Sequence, residues 1–100
     1  MIRKEIHESV YNAANAGDLF RLKELLEEQA DIVNSQDDHG FTALHGAVEG
    51  DSLLCVSFLL WRHADPMALT KRSVSPLHIC SSPDIASLLV ACGASLEAKT

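Results

Sequence analysis

Five histidines and three cysteines are the residues here whose chemistry could matter most. A metal site needs such ligands at set spacings. His39, His45, His63, His78, Cys55, Cys80 and Cys92 include no C-x-x-C and no histidine pair at i, i+4. No metal and no cofactor are therefore implied. Nucleophilic catalysis would need an activated pair. Ser75 precedes His78 by three residues, and Cys55 lies in an apolar run with no basic neighbour. A cysteine so placed is usually inert. There is no glycine-rich phosphate loop. The residues point away from an enzyme, and no catalytic residue is assigned.

The histidines show a different pattern. Thr42, Leu44, His45 and Ala47 are echoed 33 residues later by Ser75, Leu77, His78 and Cys80. A catalytic histidine is rarely copied one period on, whereas a structural one often is. The echo extends to the flanks. "TALHGAV" is followed by "LLCVSFLLWRHADP", and "SPLHICS" by "IASLLVACGASLE". "VYNAANAGDLFRLKELLEEQADIVN" has the same plan without the histidine. Ala30, Ala64 and Ala94 mark one place in each unit. A period of this length signals a stacked-repeat architecture.

Each unit reads as two helices. The small-residue segments are predicted to be short helices of about 8 to 12 residues. Thr42 and Ser75 are candidate N-caps, and Pro76 suits a first helical position. Second helices are expected at about Leu19 to Glu28, Leu53 to Arg62 and Pro83 to Ala91, the last capped by Ser82. The third unit is shorter, and the missing residues fall between "HICS" and "DIASLL". The expectation is a tightened turn between helices that keep their faces. "LFRLKELLEE" is amphipathic, with Arg21, Lys23, Glu24, Glu27 and Glu28 for water. "LLCVSFLLW" is apolar nearly all round, so cover on both sides is expected. "IASLLVAC" is similar, which suggests that further repeats or another domain follow Thr100, or that the isolated chain self-associates into a homodimer through that end.

Bulk numbers set the remaining bounds. One hundred residues at 47% hydrophobic and 22% charged suit one small globular domain. No apolar run is long enough to span a membrane, and no secretory leader opens the chain. Three cysteines among apolar neighbours suggest a reducing, intracellular setting, cytoplasmic or nuclear. The net charge of −6 falls on the first half: residues 1–51 carry 11 acids and 4 bases. Lys71 and Arg72 make a basic pair, not a basic face, which argues against nucleic acid.

These residues resemble the ankyrin repeat, with its Asp-x-x-Gly-x-Thr-Pro-Leu-His hairpin and first helix, and Leu-Leu-x-x-Gly-Ala after the second. "DDHGFTALHGAV" with "FLLWRHADP", and "SVSPLHICS" with "SLLVACGAS", carry the likeness; "YNAANAGD" with "ELLEEQADIVN" carries it less closely. The fold class implied is all-α, a solenoid of stacked helix-turn-helix units joined by short hairpin-like loops. Repeats are expected at about 5–37, 38–70 and 71–100. The resemblance implies that Thr42, His45, Ser75 and His78 cap helices and tie loops together. It implies protein–protein interaction through hairpin tips and the first-helix face: Asp38, His39, Phe41 and Glu49, then Lys71, Arg72, Val74 and Ser82. The alternative is a regulatory or targeting segment of a larger enzyme or channel. Trp61 is expected to pack on an adjacent unit, with an interface anchor as the second reading. Asn34 is a candidate for the hydroxylation known at asparagines in such loops. Ala43, Gly46, Val48 and Ser73 depart from the pattern. His63 and Gln29 replace a glycine that is usually left-handed, so both are expected to be strained.

Overall fold

The computed structural model describes residues 3–93, with the side chains of 8–29 and 31–93. Ala94, and the end of the third unit beyond it, lie outside the described residues. Among the described residues five α-helices follow in chain order: α1 Arg3–Ala16, α2 Leu19–Glu28, α3 Ala43–Glu49, α4 Leu53–Trp61 and α5 Pro83–Ala91. Two 3-10 turns, Ala30–Asn34 and Pro76–Ile79, complete the architecture, and no strand occurs among the described residues. The fold is the all-α repeat stack that the sequence implies.

Helix starts are set by side chains. Asp18, Ser52 and Ser82 cap α2, α4 and α5, each accepting from the backbone N–H three residues on. Each bond satisfies a donor that has no partner inside the helix. Pro83 follows Ser82 at a position where no intrahelical N–H is needed.

Helices α1 and α2 form the first pair, and α3 and α4 the second. Their shared core holds Val10, Ala14, Leu22, Leu26, Leu44 and Val56, all fully buried. The α1–α3 seam depends on small residues. A Cβ at Gly50 would lie 2.1 Å from the Asn15 carbonyl oxygen, and one at Gly46 would lie 3.0 Å from that of Tyr11. Asn15 also donates its amide N–H to the Gly46 carbonyl at 3.2 Å. Gly46, a departure from the family pattern, thus joins Gly50 in bringing two backbones together.

Two features differ from expectation. The first helix of the third unit is absent as an α-helix; Pro76–Ile79 makes only a four-residue 3-10 turn. Ser75 and Ser82 are closer in sequence than their counterparts Thr42 and Ser52, so the deficit shortens the helix instead of the turn. Pro83 disfavours helical backbone at Ser82, which is extended at φ −105°, ψ 127°. The chain must leave the first element early to reach that cap. Second, α4 is covered on only part of its circumference. Cys55, Val56 and Leu59 are buried, but Leu54 and Trp61 are 68% and 74% exposed. Trp61 therefore does not pack on an adjacent unit.

Candidate functional site

The motif histidines sit inside reciprocal caps. Thr42 Oγ1 accepts from the His45 N–H at 3.4 Å, and His45 Nδ1 accepts from the Thr42 N–H at 3.1 Å. The Thr42 hydroxyl lies 2.9 Å from the same Nδ1. Because Nδ1 receives a backbone N–H, it carries no proton. The neutral ring then holds its proton on Nε2, which donates to the Val74 carbonyl at 2.9 Å. His45 is completely buried. Burial lowers its pKa from 6.5, outweighing the opposing influence of the Val74 bond and of Asp37 and Glu49. Ser75 and His78 repeat the cap at 2.8, 3.0 and 3.4 Å. His78 is exposed, and among the described residues no carbonyl takes the place of Val74 at its Nε2.

The loops on either side are built alike. Asp37 N–H donates to the Phe41 carbonyl at 3.0 Å, and Thr70 N–H to that of Val74 at 3.0 Å. The Asp37 carboxylate accepts from the N–H groups of His39 and Phe41, both at 2.9 Å. Thr70 Oγ1 does the same for Arg72 and Val74, both at 3.2 Å. Each hairpin is closed by one side chain at its first position. Ser73, which replaces a hairpin glycine, has φ 63°, and Gly40 has φ 90°. Gly40 is required twice over, because a Cβ there would lie 2.8 Å from Lys71 N. That close approach lets Lys71 N–H donate to the His39 carbonyl at 2.9 Å. Gln36 adds a second tie, its amide reaching the carbonyls of Gly40 at 2.9 Å and Leu69 at 3.0 Å.

The candidate contact residues divide by exposure. Asp38, His39, Lys71 and Arg72 are exposed on the tips of neighbouring hairpins. Glu49 is exposed on α3 but accepts a hydrogen bond from the Tyr11 hydroxyl. Burial, and then that bond, raise the Tyr11 pKa. Phe41 is half-buried, packed edge-on between Tyr11 at 6.2 Å and His45 at 5.5 Å. Val74 is half-buried, and its carbonyl is taken by Thr70 and His45. Ser82 is a cap, accepting from Ile85 N–H at 3.5 Å. Trp61 stands apart on α4. The Asn34 amide bridges two units, donating to the His63 carbonyl at 3.1 Å and accepting from Asp65 N–H at 2.7 Å.

Sequence reasoning assigns no role to Asp37, Thr70, Gln36 or Tyr11, although Asp37 is the aspartate of the Asp-x-x-Gly pattern. A signal exists for the first two, since they are one 33-residue period apart, as His45 and His78 are. Among the described residues, no group of three His, Cys, Asp or Glu side chains is placed to hold a metal ion, and no helix is long and apolar enough to cross a membrane. Cys55 is buried, Cys80 donates its thiol to the Ser82 carbonyl at 3.2 Å, and Cys92 is exposed.

Residues 10–100 match the family model described as ankyrin repeats in three copies. The 2-5A-dependent ribonuclease of Mus musculus is 37% identical over 71 residues, covering 71% of this chain and 10% of that protein. Ankyrin repeat domain-containing protein 40 of Homo sapiens is 30% identical over 87 residues, covering 87% of this chain and 24% of its own. The DNA-binding protein RFXANK of Homo sapiens is 38% identical over 74 residues, covering 74% of this chain and 28% of its own. The chain thus spans between a tenth and about a quarter of the length of these curated relatives. Ankyrin repeats generally mediate protein–protein interaction and are a non-catalytic fold. The match over nearly the whole chain, the helix pairs stacked in register and the twice-used Thr/Ser–His cap lead to one conclusion: this chain belongs to the ankyrin-repeat family.

Proposed function

We propose that this chain is a non-catalytic recognition module that holds a partner protein on its hairpin tips and the adjoining face of α3. The supporting observation is the coupling between the two hairpins. His45 Nε2–H to Val74, Lys71 N–H to His39 and the Gln36 amide bind one loop to the next. Loops held in this way lose little conformational freedom when a partner binds, and so less of the contact energy is offset by ordering. The exposed tips are of opposite sign: Asp38 on one, Lys71 and Arg72 on the next. That order favours a partner segment with a base over the second unit and an acid over the third, and it sets orientation more than affinity.

A second reading has one observation behind it. This chain matches a tenth of the length of a ribonuclease, so its relatives include a much longer enzyme. In that setting the same surface would regulate or target an attached domain. Asn34 remains a candidate for hydroxylation, although its amide already bridges two units.

Asp38→Lys and Arg72→Glu test the proposal. Both residues are exposed, and their side chains make none of the hairpin ties. Proteins captured from lysate by the wild type should be lost from the doubly substituted chain and retained by Ser87→Ala, an exposed position on α5. Full retention by the double variant rules out the tips. Phe41→Ala is a poorer probe, because Phe41 also packs on Tyr11 and His45.

A further inference from the structure

Helix α4 carries an apolar stripe that nothing among the described residues covers. Leu54 and Trp61 are seven residues apart, two turns of helix, and so lie on one face. Half-buried Phe58 lies between them. Lys23 Nζ and Arg62 Cζ are each 5.8 Å from the centre of its ring, and the Trp61 ring is 6.5 Å away at 35°. The stripe is thus supported from beneath by an ordered aromatic and its cations. On the neighbouring helix α2, Phe20 is 76% exposed. It stands two residues after its cap, as Leu54 does on α4. Large exposed apolar side chains grouped on neighbouring helices mark an interaction surface.

The charges of α2 indicate the occupant. Arg21 and Lys23 lie in its first half; Glu24, Glu27 and Glu28 lie in its second. Its first turn has no acid and its last turn no base, which is the reverse of the order the helix dipole favours. The natural complement of base-then-acid is the same helix run backwards. Arg21 and Glu24 pair within the helix at 3.4 Å, an exposed contact, which leaves Lys23, Glu27 and Glu28 to meet another chain. Antiparallel alignment of two copies of α2 sets Lys23 of each against those two glutamates of the other. The same two-fold axis runs α4 antiparallel to α4 and brings Leu54 of one copy to Trp61 of the other.

We propose that the outer face of α2 and α4 binds a second copy of this chain in a two-fold dimer with both helices antiparallel to their counterparts. None of these residues belongs to the hairpin tips, so the dimer presents two sets of tips. A partner with two matching segments, or an oligomeric one, is then held with an avidity that neither copy has alone. Val90 of α5 is exposed as well, and the proposed face does not require it.

Sedimentation velocity over a micromolar to millimolar series tests the dimer, and Trp61 reports on its face because it is the single tryptophan of the chain. The sedimentation coefficient should rise from monomer to dimer, with Trp61 emission moving to the blue in step. Trp61→Ala should weaken association at least about tenfold, as loss of a central aromatic anchor does. Lys23→Glu should weaken it several-fold, and adding Glu27→Lys should restore it, because the two reversed charges again face opposite signs while the Arg21–Glu24 pair is untouched. These residues are exposed, and unchanged circular dichroism melts would show that folding is intact. A monomer throughout the series overturns the proposal. So does a dimer that Trp61→Ala leaves undiminished, or a Trp61 shift seen only when another protein is added.

Discussion

His45 and His78 occupy the same position in two successive units, yet only one is embedded. Both accept the N–H of the capping residue on Nδ1, at 3.1 and 3.0 Å. Only His45 also donates from Nε2 to the next hairpin. Its burial follows from that contact, since the hairpin that supplies Val74 also shields the ring. The motif therefore has two separable parts. One is local: the reciprocal cap, written within four residues. The other is borrowed from the following unit. Identical sequence signals give different energetics because the second part depends on a neighbour.

The substitution His45→Ala should produce the largest effect. It removes the bond to Val74 and orphans the buried Thr42 N–H, and it leaves a cavity. Each unsatisfied buried group costs roughly 1–3 kcal/mol, so a loss of about 3 kcal/mol is expected. That is a large fraction of the ~5–15 kcal/mol available to a small domain. Urea denaturation gives the value directly. A loss no greater than that of His78→Ala would mean that the tie to Val74 adds nothing.

Protonation should do reversibly part of what that substitution does. The His45 pKa is lowered in the folded state from 6.5, so the unfolded chain binds the proton more readily. Stability from this group is complete above 6.5 and falls as pH drops below it, down to the folded pKa. The physical cause is burial, which penalises the charged ring, and a proton on Nδ1 would also meet the Thr42 N–H. Stability measured against pH should show this slope in the wild type and in His78→Ala, and should lose it in His45→Ala. A slope surviving in His45→Ala would assign the titration to another group.

His78→Ala should cost less, about 1 kcal/mol, which is typical of losing a helix cap. The His78 ring is exposed, so its removal leaves no cavity and breaks no tie to a following hairpin, although the Ser75 it serves is buried. Amide exchange sharpens the contrast: only the His45 substitution should speed exchange of Thr70 N–H, whose acceptor is the Val74 carbonyl. Equal acceleration in both variants would show that the hairpin is held by its own bonds.

Local chemistry explains which parts of the fold are legible in the sequence. The caps Thr42, Ser75 and Ser82 and the three leucine-rich helices are readable because each is specified within a few residues. The repeat period places the histidines in equivalent positions. Legibility ends where a third dimension intervenes. The 3-10 turn at Pro76–Ile79 comes from competition between two caps for too little chain, and a helix-by-helix reading does not register it. Trp61 is exposed where the sequence predicts packing, because an all-apolar helix does not reveal which side its neighbours occupy. The surface candidates Phe41 and Val74 follow the family pattern in position, but packing has half-buried both. Asp37 and Thr70 share the repeat offset yet differ in side chain, so residue type does not pair them.

The smallest effect compares two residues that replace the same glycine. His63 has φ 72°, in the left-handed region where an L side chain crowds its own backbone. The family position predicts strain at Gln29 as well, but its φ of −141° is relaxed. The difference lies in the next stretch of chain. After α2 the backbone turns directly into the 3-10 segment Ala30–Asn34, so no left-handed residue is needed there. After α4 the Ala64 N–H returns to the Leu59 carbonyl at 2.9 Å, the bond of a helix closed by a left-handed residue. His63→Gly should therefore raise the denaturation midpoint by the equivalent of about 1 kcal/mol. Gln29→Gly should lower it, because glycine there gains only unfolded-state entropy. The His63 carbonyl accepts from Asn34, and that bond survives the substitution because it uses only backbone on the His63 side. If His63→Gly is neutral or destabilising, the imidazole itself makes contacts that offset the strain. If both substitutions stabilise, the two helix ends are strained alike in solution.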